Sequence, residues 1–419
     1  MRFVAARAEL PNQLDPERAL TGHGPSPTEG HQPPLYYALA GALLRLAAGA
    51  AAGDVDVTPA PNPDHAWNGG AGGTDLPLFE HPAGPAPAPP DAVPFRLLRL
   101  LSVACGVATV GAVLALSARY FSGRWALLPA VFVATLPQFL FVSATIGNDA
   151  LTGLLVTVCL LLALSLLDGR LRGRSYLLLG VCLGLALLTK KTALFLLPGL
   201  ALLLGYAAAA RPDGRQRARA AAWTAALLAT LALVSGWYFL RSQALYGDPL
   251  GTAMEKATLG ALVQEKSLDS PYFGGPFRRE LWESFFGKFG WMQAALPPGV
   301  YAFYALLLAA GGAGALVAVA ARRFPALPAL FAAGFILSCF GGVVVYNLTY
   351  SQPQGRFLFP VLSLLGVLLA AGLRELLGRL PLPGLGAALL VALVAALVAV
   401  DALALQTLWQ FYARAGLFA

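Results

Sequence analysis

Charge is scarce in this sequence. Only 12% of its 419 residues are Asp, Glu, Lys or Arg, 58% are hydrophobic, and mean hydropathy is +0.67. A water-soluble globule of this size cannot hide so much apolar surface, so the composition excludes a soluble domain and implies a polytopic membrane protein. Cysteine is rare as well. Cys105, Cys159, Cys182 and Cys339 all lie in apolar segments, where a free thiol behaves as a small hydrophobe, which excludes a disulfide framework and a zinc site. The four histidines, His23, His31, His65 and His81, precede Phe95. No two of them have i, i+4 ligand spacing, so they read as loop histidines and no metal centre is assigned. Period-two alternation is missing too, which excludes a β-barrel.

What is present is a series of continuous apolar runs. A helix needs about 20 apolar residues to cross a hydrocarbon core of roughly 30 Å. Ten runs qualify, near residues 95–118, 125–146, 150–167, 176–189, 192–210, 220–240, 300–320, 325–346, 357–372 and 384–405. The predicted fold is therefore an all-α polytopic membrane protein with about ten transmembrane helices. Arginines mark five connections: Arg119 and Arg124; Arg170, Arg172 and Arg174; Arg211, Arg215, Arg217 and Arg219; Arg322 and Arg323; Arg374 and Arg379. Each is two spans from the next, so one orientation puts all five in the cytoplasm. The net charge of +8 thus reads as topology. A nucleic-acid partner would need a basic face on a folded domain, and none is evident.

On this topology residues 1–94 form an extracytoplasmic first-loop segment. Within it, the apolar stretch at 33–52 reads as an interfacial juxtamembrane helix opening at Pro33-Pro34. A true span there would send the acidic residues Glu9, Asp15, Glu17 and Glu29 to the cytoplasm. Residues 53–94, rich in Gly, Pro, Ala and Asp, read as a long loop. Residues 95–240 hold the first six spans, 241–298 a second extracytoplasmic loop, and 299–419 the last four spans and a C-terminal tail. Phe285, Phe286, Phe289 and Trp291 in the second loop suit either an interfacial aromatic belt or a groove for a lipid or sugar face. The start, from Met1 to Pro11, reads as the middle of an amphipathic helix with no anchor ahead of it, and further sequence upstream is expected.

Polar residues gather in the connections opposite the arginines. His31-Gln32-Pro33-Pro34, Asn148-Asp149, Lys190-Lys191, Arg241 and Gln354-Gly355-Arg356 are all expected at one membrane face. Lys190 and Lys191 interrupt an apolar stretch too long for one span and barely enough for two, so their turn is expected below the surface. Lysines at that depth require an anionic partner or water, or they snorkel to headgroups. Asp149 is either a helix cap or a carboxylate that orients an acceptor or a cation. Arg356 is either a topological anchor or a fork for phosphate, and its position on the outer side favours phosphate. The triplet Asn347-Leu348-Thr349 fits the glycosylation sequon, a pattern frequent by chance.

Five stretches resemble the C-type (GT-C) superfamily of integral membrane glycosyltransferases, in particular the phospholipid-carrier-dependent relatives of protein mannosyltransferases and aminoarabinose transferases. They are Glu29 to Tyr37, Pro137 to Asp149, Leu188 to Thr192, Arg241 to Gly251 with its Tyr246-Gly247-Asp248-Pro249 core, and Gln354 to Pro360. The resemblance implies sugar transfer, of hexosyltransferase type, from a polyprenyl phosphate to an acceptor glycan, lipid or protein at the outer face of the cytoplasmic membrane. It implies donor-phosphate binding by Lys190, Lys191 and Arg356, and an acceptor or metal role for Asp149. His31, Gln32, Asn148, Arg241, Tyr246, Asp248 and Gln354 would line the substrate groove. No cofactor is demanded, although a divalent metal is compatible. The family's principal acidic motif would lie upstream of Phe3, and Glu29 is the substitute base within the chain. Two other classes compete: a transporter or flippase of lipid-linked intermediates, for which Asp401 is the one deep carboxylate candidate, and a catalytically inactive relative with an assembly role.

Overall fold

A computed structural model describes residues 1, 4, 8–12, 30–49, 92–167, 173–290, 292–382 and 384–414. Glu29, Trp291, His23, His65, His81, Arg170, Arg172 and the loop expected at 53–94, up to residue 91, lie outside these residues. The helices are α1 (Leu35–Ala48), α2 (Ala92–Ser117), α3 (Arg124–Ala134), α4 (Pro137–Ser143), α5 (Asp149–Leu167), α6 (Gly173–Thr189), α7 (Leu197–Ala209), α8 (Gly214–Tyr246), α9 (Thr252–Leu259), α10 (Pro271–Gly274), α11 (Pro276–Phe286), α12 (Pro298–Ala320), α13 (Ala326–Thr349), α14 (Leu362–Leu377) and α15 (Leu385–Arg414). Short 3₁₀ segments, Lys191–Leu196 and Gly355–Val361, lead into α7 and α14. The described strands are two-residue pieces, Lys288–Phe289 paired antiparallel with Ala294–Ala295.

Eight helices among the described residues are long and apolar enough to cross a membrane, and nine if α3 and α4 count as one span bent by 63°. The sequence predicts ten, and two local causes account for the difference. Pro137 has no N–H to donate and disfavours helical geometry at Leu136, so the run breaks after Thr135. Helix α6 has 17 residues, which at about 1.5 Å per residue falls short of a full hydrocarbon core. That length suits a Lys190 turn below the membrane surface. Helix α8, by contrast, has 33 residues and outruns the core. Asp213 caps its start by accepting from the Gln216 amide at 2.7 Å, and Gly247, at φ 68°, ends it in the left-handed conformation.

The described residues fall into two compact units, one drawn from residues 1–49, 92–105 and 143–264, the other from 106–142 and 265–414. In the first, Tyr36, Ala40 and Leu44 of α1 pack with Leu98, Cys105, Ala150 and Leu151, and the Tyr36 hydroxyl is 2.9 Å from Ser102 Oγ. Helices α6 and α8 meet closely, since a Cβ on Gly180 would lie 2.6 Å from the Leu227 carbonyl. In the second unit α14 is the buried centre. It crosses α12 with no side chain between the backbones, because a Cβ on Gly372 would fall 1.8 Å from the Gly311 carbonyl. Small residues at such crossings let dispersion contacts replace the hydrophobic drive that lipid removes.

The loop aromatics belong to this second core. Phe285, Phe286 and Phe289 are all buried, with Phe286 stacked on Tyr304 at 4.1 Å and Phe289 against Phe141 at 5.2 Å. They form neither a belt nor a groove lining. Asn347 of the sequon is also buried. Its side chain accepts from the Tyr272 hydroxyl at 2.7 Å and donates to the Val343 carbonyl at 2.9 Å, which leaves it no role as a glycan acceptor.

Candidate functional site

The first unit collects most of the polar residues singled out by sequence. Asn148 precedes α5 and donates at 3.3 Å both to Gln32 Oε1 and to the Thr189 carbonyl. Gln32 also accepts from the Tyr37 hydroxyl at 2.9 Å. The loop before α1 is thereby tied, through Asn148, to the start of α5 and the end of α6. Asp149 opens α5, where a carboxylate complements the helix dipole, and it receives a hydrogen bond from Lys190 Nζ. Asp149 thus stands in the first turn of α5 and is paired with the Lys190 ammonium. The side chains of this pair are 17% and 11% exposed, so little water competes for either.

Lys191 turns to a different partner. Its Nζ donates to Glu255 Oε2 at 2.8 Å and to the Leu250 carbonyl at 2.7 Å. Lys190 adopts an extended conformation between α6 and the following 3₁₀ segment, which sends adjacent lysines to separate acceptors. His31 is buried, and its carbonyl accepts from the Tyr238 hydroxyl at 2.7 Å. Burial, with the Lys191 charge second and Glu255 opposing, lowers the His31 imidazole to a pKa of about 4. It is therefore neutral at pH 7.

Asp248 shapes the turn after α8. Partial desolvation pushes its carboxyl up, but hydrogen bonds from the Thr252 hydroxyl and the Leu250 and Thr252 amides outweigh that and hold it below its usual range. Its role is to fold Tyr246-Gly247-Asp248-Pro249 back so that Gly251, at φ +61°, lies against Ser242 and His31. Tyr246 is half-buried at the end of α8. Arg241 donates to the Pro11 carbonyl at 3.0 Å, which fastens the described N-terminal residues to α8.

Gln354 and Arg356 belong to the second unit. Gly355 is required there: a Cβ would fall 2.2 Å from Phe285 N, and its amide donates to Ser284 Oγ at 2.8 Å. The Arg356 guanidinium lies 5.8 Å from the centre of the Phe357 ring. The same unit holds an ion cluster that sequence reasoning missed, in which Lys288 Nζ donates to Glu280 at 2.6 Å and Glu283 at 2.7 Å. Glu255 and Tyr238 were missed in the first unit. A glutamate in a polar loop is ordinary, and a tyrosine inside an apolar run looks like core. The described residues contain no group of three His, Cys, Asp or Glu side chains placed to share a metal ion.

A multi-pass helical membrane protein with a polar cluster of this kind is the class that fold and site define. Residues 93–239, which include Asn148, Asp149, Lys190 and Lys191, match the family model for dolichyl-phosphate-mannose-protein mannosyltransferase. The resemblance to C-type membrane glycosyltransferases thus holds on the matched interval. Among solved structures, the chain is similar to ArnT from Cupriavidus metallidurans in the apo state, at 14% identity over 90% of this chain and 53% of that one, with a TM-score of 0.49. It is also similar to the apo oligosaccharyltransferase of Archaeoglobus fulgidus, at 16% identity over 78% of this chain and 46% of that one, with a TM-score of 0.42. The chain spans about half the length of these proteins. No curated protein matches it in sequence.

Proposed function

We propose that this protein is a membrane glycosyltransferase that moves a sugar from a polyprenyl-phosphate donor to an acceptor hydroxyl or amine at the extracytoplasmic face of the cytoplasmic membrane. The observation that carries the reading is the mannosyltransferase family match over residues 93–239, an interval in which Asp149, Lys190 and Lys191 gather at one end of α5 and α6. In the reaction the bond between the anomeric carbon and the phosphate oxygen breaks, its electrons leave with the lipid phosphate, and the acceptor atom bonds to that carbon with inversion. Lys190, Lys191 and Arg356 offset the charge that grows on the departing phosphate. The acceptor proton passes to a carboxylate. Asp149 orients the acceptor, and Glu29, outside the described residues, is the base. His31, Gln32, Asn148, Arg241, Tyr246 and Asp248 of the first unit frame the substrate groove in this reading, which also assigns Gln354 of the second unit to the substrate.

Lys190 and Lys191 hold carboxylates, so donor phosphate enters by exchange: it takes over Lys191 from Glu255 and Lys190 from Asp149, which frees Asp149 for the acceptor. The test is transfer from a panel of undecaprenyl-phosphate sugars, measured in membranes carrying the full chain. Lys191→Ala and Arg356→Ala are each expected to lower transfer by about 10²-fold or more, the scale of losing one transition-state charge contact, at unchanged expression. Wild-type rates in both variants would overturn the proposal.

A further inference from the structure

The arginine-bearing connections of the second unit converge on something more specific than topology. Arg124 at the start of α3, Arg323 just after α12 and Arg374 in the last turn of α14 are distant in sequence but line one cavity of about 470 Å³. The single carboxylate of its lining, Glu375, is buried, with its side chain 4% exposed, and accepts from Arg323 at 2.9 Å and from Arg379 at 2.7 Å. Arg323 is thereby committed. Arg124 and Arg374 are not: among the described residues neither has a carboxylate partner. Their guanidinium carbons lie 5.8 Å from the Trp125 ring centre and 6.0 Å from that of Phe121, so flat aromatic faces hold the planar groups while their N–H edges stay open. Phe121 is in turn stacked on Phe324 at 5.8 Å, which makes one wall apolar and fixed.

The cavity lies where α3 begins and where α12 and α14 end. Two of these, α12 and α14 with its 3₁₀ lead-in, are membrane-long segments, so the opening is at headgroup depth. Three arginines against one glutamate leave the lining with an excess of two positive charges. We infer that this cavity is a binding site for the phosphate headgroup of an anionic phospholipid in the leaflet on the arginine-rich side. The two open forks take the phosphate oxygens, and the aromatic wall takes the glycerol and the first methylenes. Basic pockets between transmembrane helices suit such headgroups. This site stands apart from the proposed transfer chemistry and uses none of its residues.

The experiment is native mass spectrometry of the full chain in detergent, titrated separately with phosphatidylglycerol and phosphatidylcholine. Phosphatidylglycerol is expected to bind more tightly. The variant R124Q/R374Q should weaken that binding about 30-fold, at about fivefold per arginine near a membrane surface. R215Q/R219Q removes the same charge from exposed positions of α8 and should leave the binding within about threefold. If the double variant does not fold, the single variants R124Q and R374Q carry the test, each with its fivefold loss. Equal affinity for the two lipids, or undiminished phosphatidylglycerol binding by the cavity variants, overturns the inference. Displacement of the lipid by millimolar glycerol 3-phosphate also overturns it, by assigning the cavity to a soluble phosphate ester.

Discussion

Two groups of basic side chains differ in what holds them. Lys190 and Lys191 each grip a carboxylate, Asp149 and Glu255, at mostly buried positions. Arg124 and Arg374 lie over aromatic rings and are exposed. The lesson is that equal charge does unequal work. A cation whose partner is also shielded from water contributes to the fold and reaches a ligand only by exchanging that partner, and removing it leaves a costly anion behind. A cation held by a ring in reach of water is available to a ligand and contributes little to stability.

The contrast is broken most directly at Lys190. Lys190→Met leaves the Asp149 carboxylate without the cation that neutralises it, and thermal unfolding in detergent should show a loss of about 3 kcal/mol. The double variant K190M/D149L should recover a good part of that loss. A double variant no more stable than K190M would mean that the two residues act separately.

A second prediction follows from His31, which sits beside Lys191. Its folded-state pKa of about 4 lies below the ordinary value of about 6.5, so between these pH values the unfolded chain binds the proton and the folded chain does not. Stability is complete above about pH 6.5 and falls as pH drops toward 4, by up to about 3 kcal/mol. His31→Gln should flatten this part of the pH profile. An unchanged profile would show that other groups set it.

The smallest effect is expected at the other group. Arg374→Gln should change unfolding by less than about 0.5 kcal/mol while weakening anionic lipid binding. A loss as large as that of K190M would erase the distinction between the two groups.

The spans were legible because about 20 apolar residues in a row have few alternatives. Asn148, Asp149, Lys190 and Lys191 stood out for the converse reason, since polar side chains amid such runs are expensive and must find partners. Their particular partners were not legible. Glu255 lies more than sixty positions from Lys191, and nothing in a short polar helix marks one glutamate as an ion-pair partner. The break at Pro137 had a signal in the proline itself, which a hydropathy average does not register. Phe285, Phe286 and Phe289 occupy one helix end and the strand beyond it, in a spacing that serves a core as well as a membrane belt. Arg124, Arg323 and Arg374 read only as topology, because a shared cavity is a property of packing between connections far apart in the chain.

Gly355 couples two segments mechanically. Its α-carbon is pressed against the Phe285 backbone, and its amide is pinned to Ser284, which makes the turn carrying Arg356 and helix α11 effectively one casting. Whatever pushes α11 moves the arginine by the same amount, so the reach of that guanidinium is set by a helix more than seventy residues earlier in the chain.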